Sequence, residues 1–221
     1  MSYPEFLAEF GPRFVSGAWI TVQQTVLAIL VAVGIALVMG LMRLSHNLAM
    51  RGVATVYIEI FRGTSLLVQL YWIFFVLPLF GVTLDKFTAG FLAVGMNIGS
   101  YGAELVRGGI LSVPKGQWEA ALALNMSPTK RMVRIIFPQA LLNMLPPWGN
   151  LLIELLKGTA LVALISVADL MFVSKQINGS TFLSAEAFGT ALVIYYVLAR
   201  LVISPGMRRL ERVMSRRMGR A

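Results

Sequence analysis

The sequence predicts an all-α membrane protein of five transmembrane helices, amino terminus outside and carboxy terminus inside, with a cytoplasmic helix between helices 3 and 4. Three observations predict it. The 221 residues are 57% hydrophobic and only 13% charged, whereas a soluble domain carries about 25% charged residues. The charges sit in short basic segments between long apolar runs, and those runs do not alternate polar and apolar residues as barrel strands do. Finally, basic-poor and basic-rich connections alternate along the chain, which sets sidedness.

Segment one runs from about Trp19 to Met42 and ends at Arg43. It is too long for a signal-peptide core, and Met1 to Glu9 has no basic leader, so it is expected to be retained. Segment two runs from about Ser65 to Val82, segment three from about Phe87 to Val106, segment four from about Leu145 to Val173 and segment five from about Ala185 to Ile203. Each supplies the ~20 residues that a tilted helix needs to cross ~30 Å of hydrocarbon. In lipid a helix satisfies its own backbone, so helix is the expected state throughout.

The connections carry the charge pattern. Arg43, Arg51 and Arg62 follow segment one, and Lys86 beside Asp85 follows segment two. Arg107, Lys115, Lys130, Arg131 and Arg134 follow segment three, and only Lys175 follows segment four. Arg208, Arg209, Arg212, Arg216, Arg217 and Arg220 fill the tail, about 205–221. The rich connections belong in the cytoplasm, and an odd number of spans puts the termini on opposite sides, as the charges do. The whole chain, 1–221, reads as one transmembrane domain. The net charge of +9 is explained by this distribution, which leaves little water-facing surface for nucleic acid. No cysteine is present, which excludes disulfide and thiol chemistry. The lone His46 in a basic loop reads as a surface residue, and no metal site is expected.

Two stripes of small residues recur every four positions: Ala32, Ala36 and Gly40 in segment one, and Gly95, Gly99 and Ala103 in segment three. Such stripes let helix backbones approach closely. They predict packing inside the bundle, or a subunit interface.

The longest basic connection, about 108–144, is too long for a simple turn. Gln117 to Leu124 are mostly good helix formers, with Ala120, Ala121 and Ala123 leaving a flat surface. Asn125 tolerates the left-handed conformation that ends helices. Ser127-Pro128 reads as an N-cap and first helical position, opening a basic helix that Pro138 is expected to kink or stop. The result is a short helix across the cytoplasmic face, a shape suited to docking in a partner's groove.

This connection resembles the EAA loop of permease subunits of bacterial ABC importers: Glu-Ala-Ala, three residues, Gly, nine residues, Ile, any residue, Leu, Pro. Glu119, Ala120, Ala121, Ile135 and Pro138 match, while Asn125 stands for Gly and Phe137 for Leu. Glu59 to Leu70 resembles the second-helix signature of the polar-amino-acid (histidine/glutamine/glutamate/arginine) subfamily, with Ser65 in place of Pro. Ser100 to Ala121 resembles the stretch leading into the loop. Glu154 to Val162 resembles the subfamily's Lys-Asp-Thr-Ser-Leu stretch, with Gly158 for Asp and Ala160 for Ser. The likeness covers about Thr21 to Ser204.

The resemblance implies a type I importer permease in the inner membrane, moving a polar amino acid or related small zwitterion. Its implied partners are two cytoplasmic ATP-binding subunits, a second permease (identical or paralogous) and an extracytoplasmic solute-binding protein, all assembled in membrane lipid. No phosphate loop ending in Gly-Lys-Ser/Thr occurs in the sequence. The chain is therefore not expected to be an enzyme or to bind a cofactor, ATP and Mg residing on the partner. Glu119, Ala120, Ala121, Leu124 and Asn125 are the ATPase-coupling candidates, although Glu119 near a helix start is also read as a dipole cap.

Arg62 and Gly63 are read either as an anchor or as shaping the mouth of helix two. Glu104 is expected to pair with Arg107 at i, i+3. The tail arginines are expected on an amphipathic helix at anionic headgroups. Glu154 and Lys157 fall near mid-membrane, where a charge costs about 2.5–3.5 kcal/mol and needs a partner. They read as a buried ion pair or, with Gly158 and Thr159, as the substrate path, because Gly158 weakens the helix where broken backbone can line a cavity. Competing functions are import of a compatible solute such as ectoine, a self-sufficient channel or secondary carrier, which needs no docking helix, and a scaffold without transport, which needs no mid-membrane charges.

Overall fold

A computed structural model of the protein describes residues 2–217, and all regular elements among them are helical. Helix α1 (Tyr3–Arg43) begins well before Trp19. Pro4 lies in its first turn and the Glu5 carboxylate accepts from the Ser2 amide at 3.0 Å, so local capping starts the helix early. Its 41 residues span about 60 Å at 1.5 Å per residue, twice the hydrocarbon thickness. Phe6, Phe10 and Phe14 bury this extra length against later helices.

The connection after segment one is a helix rather than a loop. α2 (Leu48–Gly63) is capped by Asn47, whose Oδ1 accepts from the amides of Ala49 and Met50. It breaks at Gly63 and resumes as α3 (Leu66–Tyr71), continued by a π turn (Trp72–Val76) and a 3-10 turn (Leu77–Phe80), with a bend of 108° at the break. Segment two is thus the second half of a bent element.

The central helix α4 (Lys86–Leu111) is N-capped by Asp85 and has its most extensive contact with α1. The two small-residue stripes meet there. A Cβ placed on Gly95 would lie 2.7 Å from Val31 Cβ and 2.9 Å from the Ala28 carbonyl; on Gly99 it would meet Ile35 and the Ala32 carbonyl; on Gly40 it would meet the Ala103 carbonyl at 2.8 Å. The stripes therefore serve packing within the chain.

After α5 (Lys115–Ala123), α6 (Pro128–Arg131) runs through a π turn (Met132–Ile136) into α7 (Phe137–Gly158) and a 3-10 segment (Thr159–Ile165). Pro138 does not stop this 38-residue stretch. The wider π turn immediately before it accommodates the missing N–H and the bulk of the ring. Segment four ends at Ile165 rather than Val173. Ser166 turns the chain with φ 62°, and Val173 belongs to α8 (Leu170–Thr181). Buried Asp169 caps α8 through the Phe172 amide at 2.9 Å and accepts from the Tyr195 hydroxyl at 3.3 Å. α9 (Ser184–Val197) continues through a π turn (Leu198–Ile203) into α10 (Ser204–Arg217).

By length and composition, Tyr3–Arg43, Pro128–Ile165 and Ser184–Arg216 can each cross a membrane, and the bent α2–α3 pair makes a possible fourth. Arg220 and the last residues of the tail lie outside the described residues.

Candidate functional site: a charged cleft at two helix breaks

Two interrupted helices face each other beside α4. One is α2–α3, broken over Gly63–Ser65. The other is α7, which gives way to 3-10 geometry after Gly158. They approach closely, since a Cβ on Gly158 would meet Leu66 Cδ2 at 3.1 Å. Between them opens a cleft of about 940 Å³.

A helix break frees backbone carbonyls that lipid cannot satisfy. Side-chain amides do so here. The Phe61 carbonyl accepts from Gln69 Nε2 at 2.9 Å and from Asn97 Nδ2 at 3.1 Å, and Asn97 Nδ2 also donates to Gln69 Oε1 at 3.0 Å. Gln69 Nε2 further reaches Thr64 Oγ1 at 2.7 Å, while the Thr64 hydroxyl donates to the Ile60 carbonyl. This clasp of two buried amides holds the broken end of α2 against α4 and fixes where Arg62 points.

Glu154, Lys157 and Gly158 line the cleft, as does Arg62. Arg62 is therefore a wall residue, with its guanidinium 5.4 Å from the Tyr101 ring centroid, within cation–π range. Of the two readings of Glu154 and Lys157, the ion pair is not formed, for the described residues hold only three salt bridges and neither residue is in them. Both side chains face the open cleft instead. Thr159 is turned away: it is fully buried and its hydroxyl donates to the Leu156 carbonyl at 2.7 Å.

Glu104, at one end of the cleft, is already engaged. It takes Arg107 Nη2 at 2.9 Å, the expected i, i+3 pair, and also Arg43 Nε at 3.4 Å. The cleft thus carries one carboxylate, Glu154, and two cations, Lys157 and Arg62, without intrachain ion pairs among the described residues. Asn97, Tyr101 and Asn150 add polar groups. Asn97, Tyr101 and Asn150 were missed in sequence, and Arg62 was read there as an anchor or as shaping the mouth of helix two, not as a cleft wall. The signal for Asn97 was a polar side chain inside an apolar segment, and for Arg62 the Gly-Thr-Ser breaker after it.

The second candidate surface is α5. Leu124 closes it, and Asn125 adopts φ 52°. The amide of Asn125 reaches the Leu122 carbonyl at 2.8 Å and that of Met126 reaches the Ala121 carbonyl at 3.1 Å, the paired bonds of a Schellman stop. Ser127 Oγ then caps the next helix through the Lys130 amide. α5 is tied down by Trp118 under the Arg131 guanidinium, 5.6 Å from the ring centroid, and by Gln139 donating to Gln117 Oε1 at 3.1 Å. Glu119, Ala120 and Leu124 are exposed, Leu124 by 75%. Ala121, expected on the flat outer surface, is only 3% exposed and faces its own chain. Its small size lets α5 lie close, and the outward surface is set by its neighbours.

Comparison with known proteins identifies the family and the fold in which both surfaces lie. A family described as binding-protein-dependent transport system inner membrane component matches residues 18–218. The chain is 40% identical over 222 residues to the probable amino-acid ABC transporter permease protein y4tF of Sinorhizobium fredii, covering 98% of this chain and 91% of that protein. It is 38% identical over 205 residues to the glutamine transport system permease protein GlnP of Escherichia coli, covering 92% and 93%. It superposes with a TM-score of 0.87, at 37% identity, on a chain from a crystal structure of an amino acid ABC transporter with histidines, covering 96% of this chain and 98% of that one.

Proposed function

Because this chain belongs to the family of binding-protein-dependent transport system inner membrane components, we propose that its cleft passes a polar amino acid or related small zwitterion through the inner membrane. It is a multi-pass membrane protein and a transport subunit rather than an enzyme. One observation carries the substrate class: the cleft offers a carboxylate and cations together, none of them in an intrachain ion pair. A zwitterion carries the complementary pair. Glu154 receives the ammonium, and Lys157 or Arg62 the carboxylate. The relatives' named solutes, glutamine among them, are consistent with that charge logic.

Five crossings follow if α4, the bent α2–α3 pair, α1, α6–α7 and α9 each span. The basic connections then put the amino terminus outside and α5 and α10 in the cytoplasm. Of two partner ATP-binding subunits, carrying ATP and Mg, one docks on this chain's α5 through Glu119, Ala120 and Leu124, with Asn125 holding the turn and Ala121 the spacing. A second permease and an extracytoplasmic binding protein complete the importer. A stand-alone channel or carrier would have no use for a stapled cytoplasmic knob.

The test is Glu154→Gln, which keeps hydrogen bonding and removes charge. Reconstituted with the ATP-binding subunits and offered a panel of amino acids and ectoine, it should lose uptake and solute-stimulated hydrolysis by about tenfold or more, the order of a charged hydrogen bond. Assembly and basal hydrolysis should be kept. Unchanged uptake would remove Glu154 from the substrate path.

A further inference from the structure

Arg200 is an unexplained charge. It sits in the π turn after α9, beside Leu201 and Val202, which are 66% and 60% exposed. It is itself exposed, yet among the described residues it has no acidic group within 4.0 Å and its side chain makes no hydrogen bond. An arginine on a lipid-facing apolar helix is costly unless it reaches an anion at the interface.

The structure shows what lies beside it. A groove of about 200 Å³ runs between α7 and the α9–α10 rod, and Arg200 and Arg208 both line it. Its walls are mixed, with Pro146, Ile153 and Met207 on the apolar side and Ser204 and Asn150 as neutral polar groups beside the charged ones. Gly149 also lines it, and a Cβ there would rest in ordinary contact with Met207 at 3.6 Å. Glu211 also lines the groove and is in no ion pair. Two arginines and one glutamate leave a net charge of +1, the complement of a single phosphodiester. Beyond the groove, α10 presents Arg209, Arg212 and Arg216 alongside exposed Leu210 and Val213, a surface suited to an anionic bilayer face.

We propose that this groove seats one anionic phospholipid, phosphatidylglycerol in chemistry. Arg200 and Arg208 hold its phosphate, Glu211 accepts from its headgroup hydroxyls, and an acyl chain lies against the apolar α9 ridge. The seat is separate from the solute cleft and stands whether or not the cleft binds a zwitterion.

The test uses the purified full-length chain in neutral detergent, with thermal unfolding followed while phosphatidylglycerol, phosphatidylethanolamine or phosphatidylcholine is titrated into the micelles. Phosphatidylglycerol should stabilise at lower mole fraction than the other two. Arg200→Gln and Arg208→Gln should each raise the required mole fraction about tenfold, as loss of a charge-assisted hydrogen bond to phosphate does. Arg51→Gln, on exposed α2, should not. Arg200→Lys, which keeps the charge, should retain part of the effect and controls for misfolding. Equal stabilisation by phosphatidylethanolamine would overturn the proposal, and so would an equal loss in Arg51→Gln, which would indicate diffuse charge. It would also fall if Arg200→Gln and Arg208→Gln kept lipid stabilisation but lost an ATP-binding subunit or a second permease on co-purification; the groove would then be a protein contact.

Discussion

Replacing Gly95 with Ala puts one methyl group between α1 and α4. The added Cβ would lie 2.7 Å from Val31 Cβ, 2.8 Å from Val31 Cγ1 and 2.9 Å from the Ala28 carbonyl. Carbon atoms rest at about 3.5–4.0 Å, so the helices must separate by roughly 1 Å. The nearest atoms are a β-branched stem and backbone, neither of which can swing aside. The displacement would also loosen the next contacts along the seam, Gly99 on Ile35 and Gly102 on Ala36. Overpacking of this kind costs about 1–3 kcal/mol, which for a chain of this size lowers the melting temperature by roughly 2–12 °C. Gly109→Ala should cost a comparable amount, since its added Cβ would meet Met144 Cγ, next to that side chain's stem, closer still, with the Ala140 carbonyl at 3.2 Å. Gly116→Ala, with nothing within 4 Å, should leave the midpoint unchanged or slightly higher, because Ala favours helix. Thermal unfolding of the three purified variants tests the order. A Gly95→Ala midpoint equal to wild type, or no lower than that of Gly116→Ala, would refute the claim that the small-residue seam is held at backbone contact.

Three further outcomes are expected. With cysteines introduced singly, Ser2→Cys and Phe182→Cys should label with an impermeant reagent from outside intact cells and Leu124→Cys only after permeabilisation; labelling of all three from one side would reject the five-span arrangement. Ala120→Arg, on the exposed face of α5, should release the ATP-binding subunit while the permease still inserts, whereas Asn125→Gly should keep coupling because glycine accepts φ 52°; retained coupling in Ala120→Arg would move the docking site elsewhere. Hydrogen bonding from Thr88, and then Phe87, lowers the Asp85 pKa below 3.8. Its stabilisation of α4 is therefore complete at neutral pH and is lost as pH falls through the lowered value. Asp85→Asn, which keeps the cap, should flatten that acid limb, and an unaltered pH profile would show that the cap charge is irrelevant.

Features under local chemical control could be read from the amino acids alone. Apolar runs with basic punctuation dictate a helical membrane protein because lipid leaves the backbone no other partner. Asn125 and the Ser127-Pro128 cap define the stop and restart of the cytoplasmic knob through bonds within six residues, so they are legible in the sequence. The four-residue periods of small side chains announced a close helix contact, though the partner stripe had to be seen. Features that join residues far apart along the chain emerge only from packing. Arg62 reads equally as an anchor or as shaping the mouth of helix two until the Asn97 and Gln69 amides, 35 and 7 residues away, satisfy the Phe61 carbonyl and hold α2 in its break. Glu154 and Lys157 are spaced to pair, yet face a common cavity because the α7 break stands opposite another. Ala121 and Thr159 match the patterns that nominated them but point inward, and a motif records which residue occurs, not which way its helix face is turned. Helix periodicity reports one element at a time, whereas a site made where two interrupted helices meet exists only once packing has brought the interruptions together.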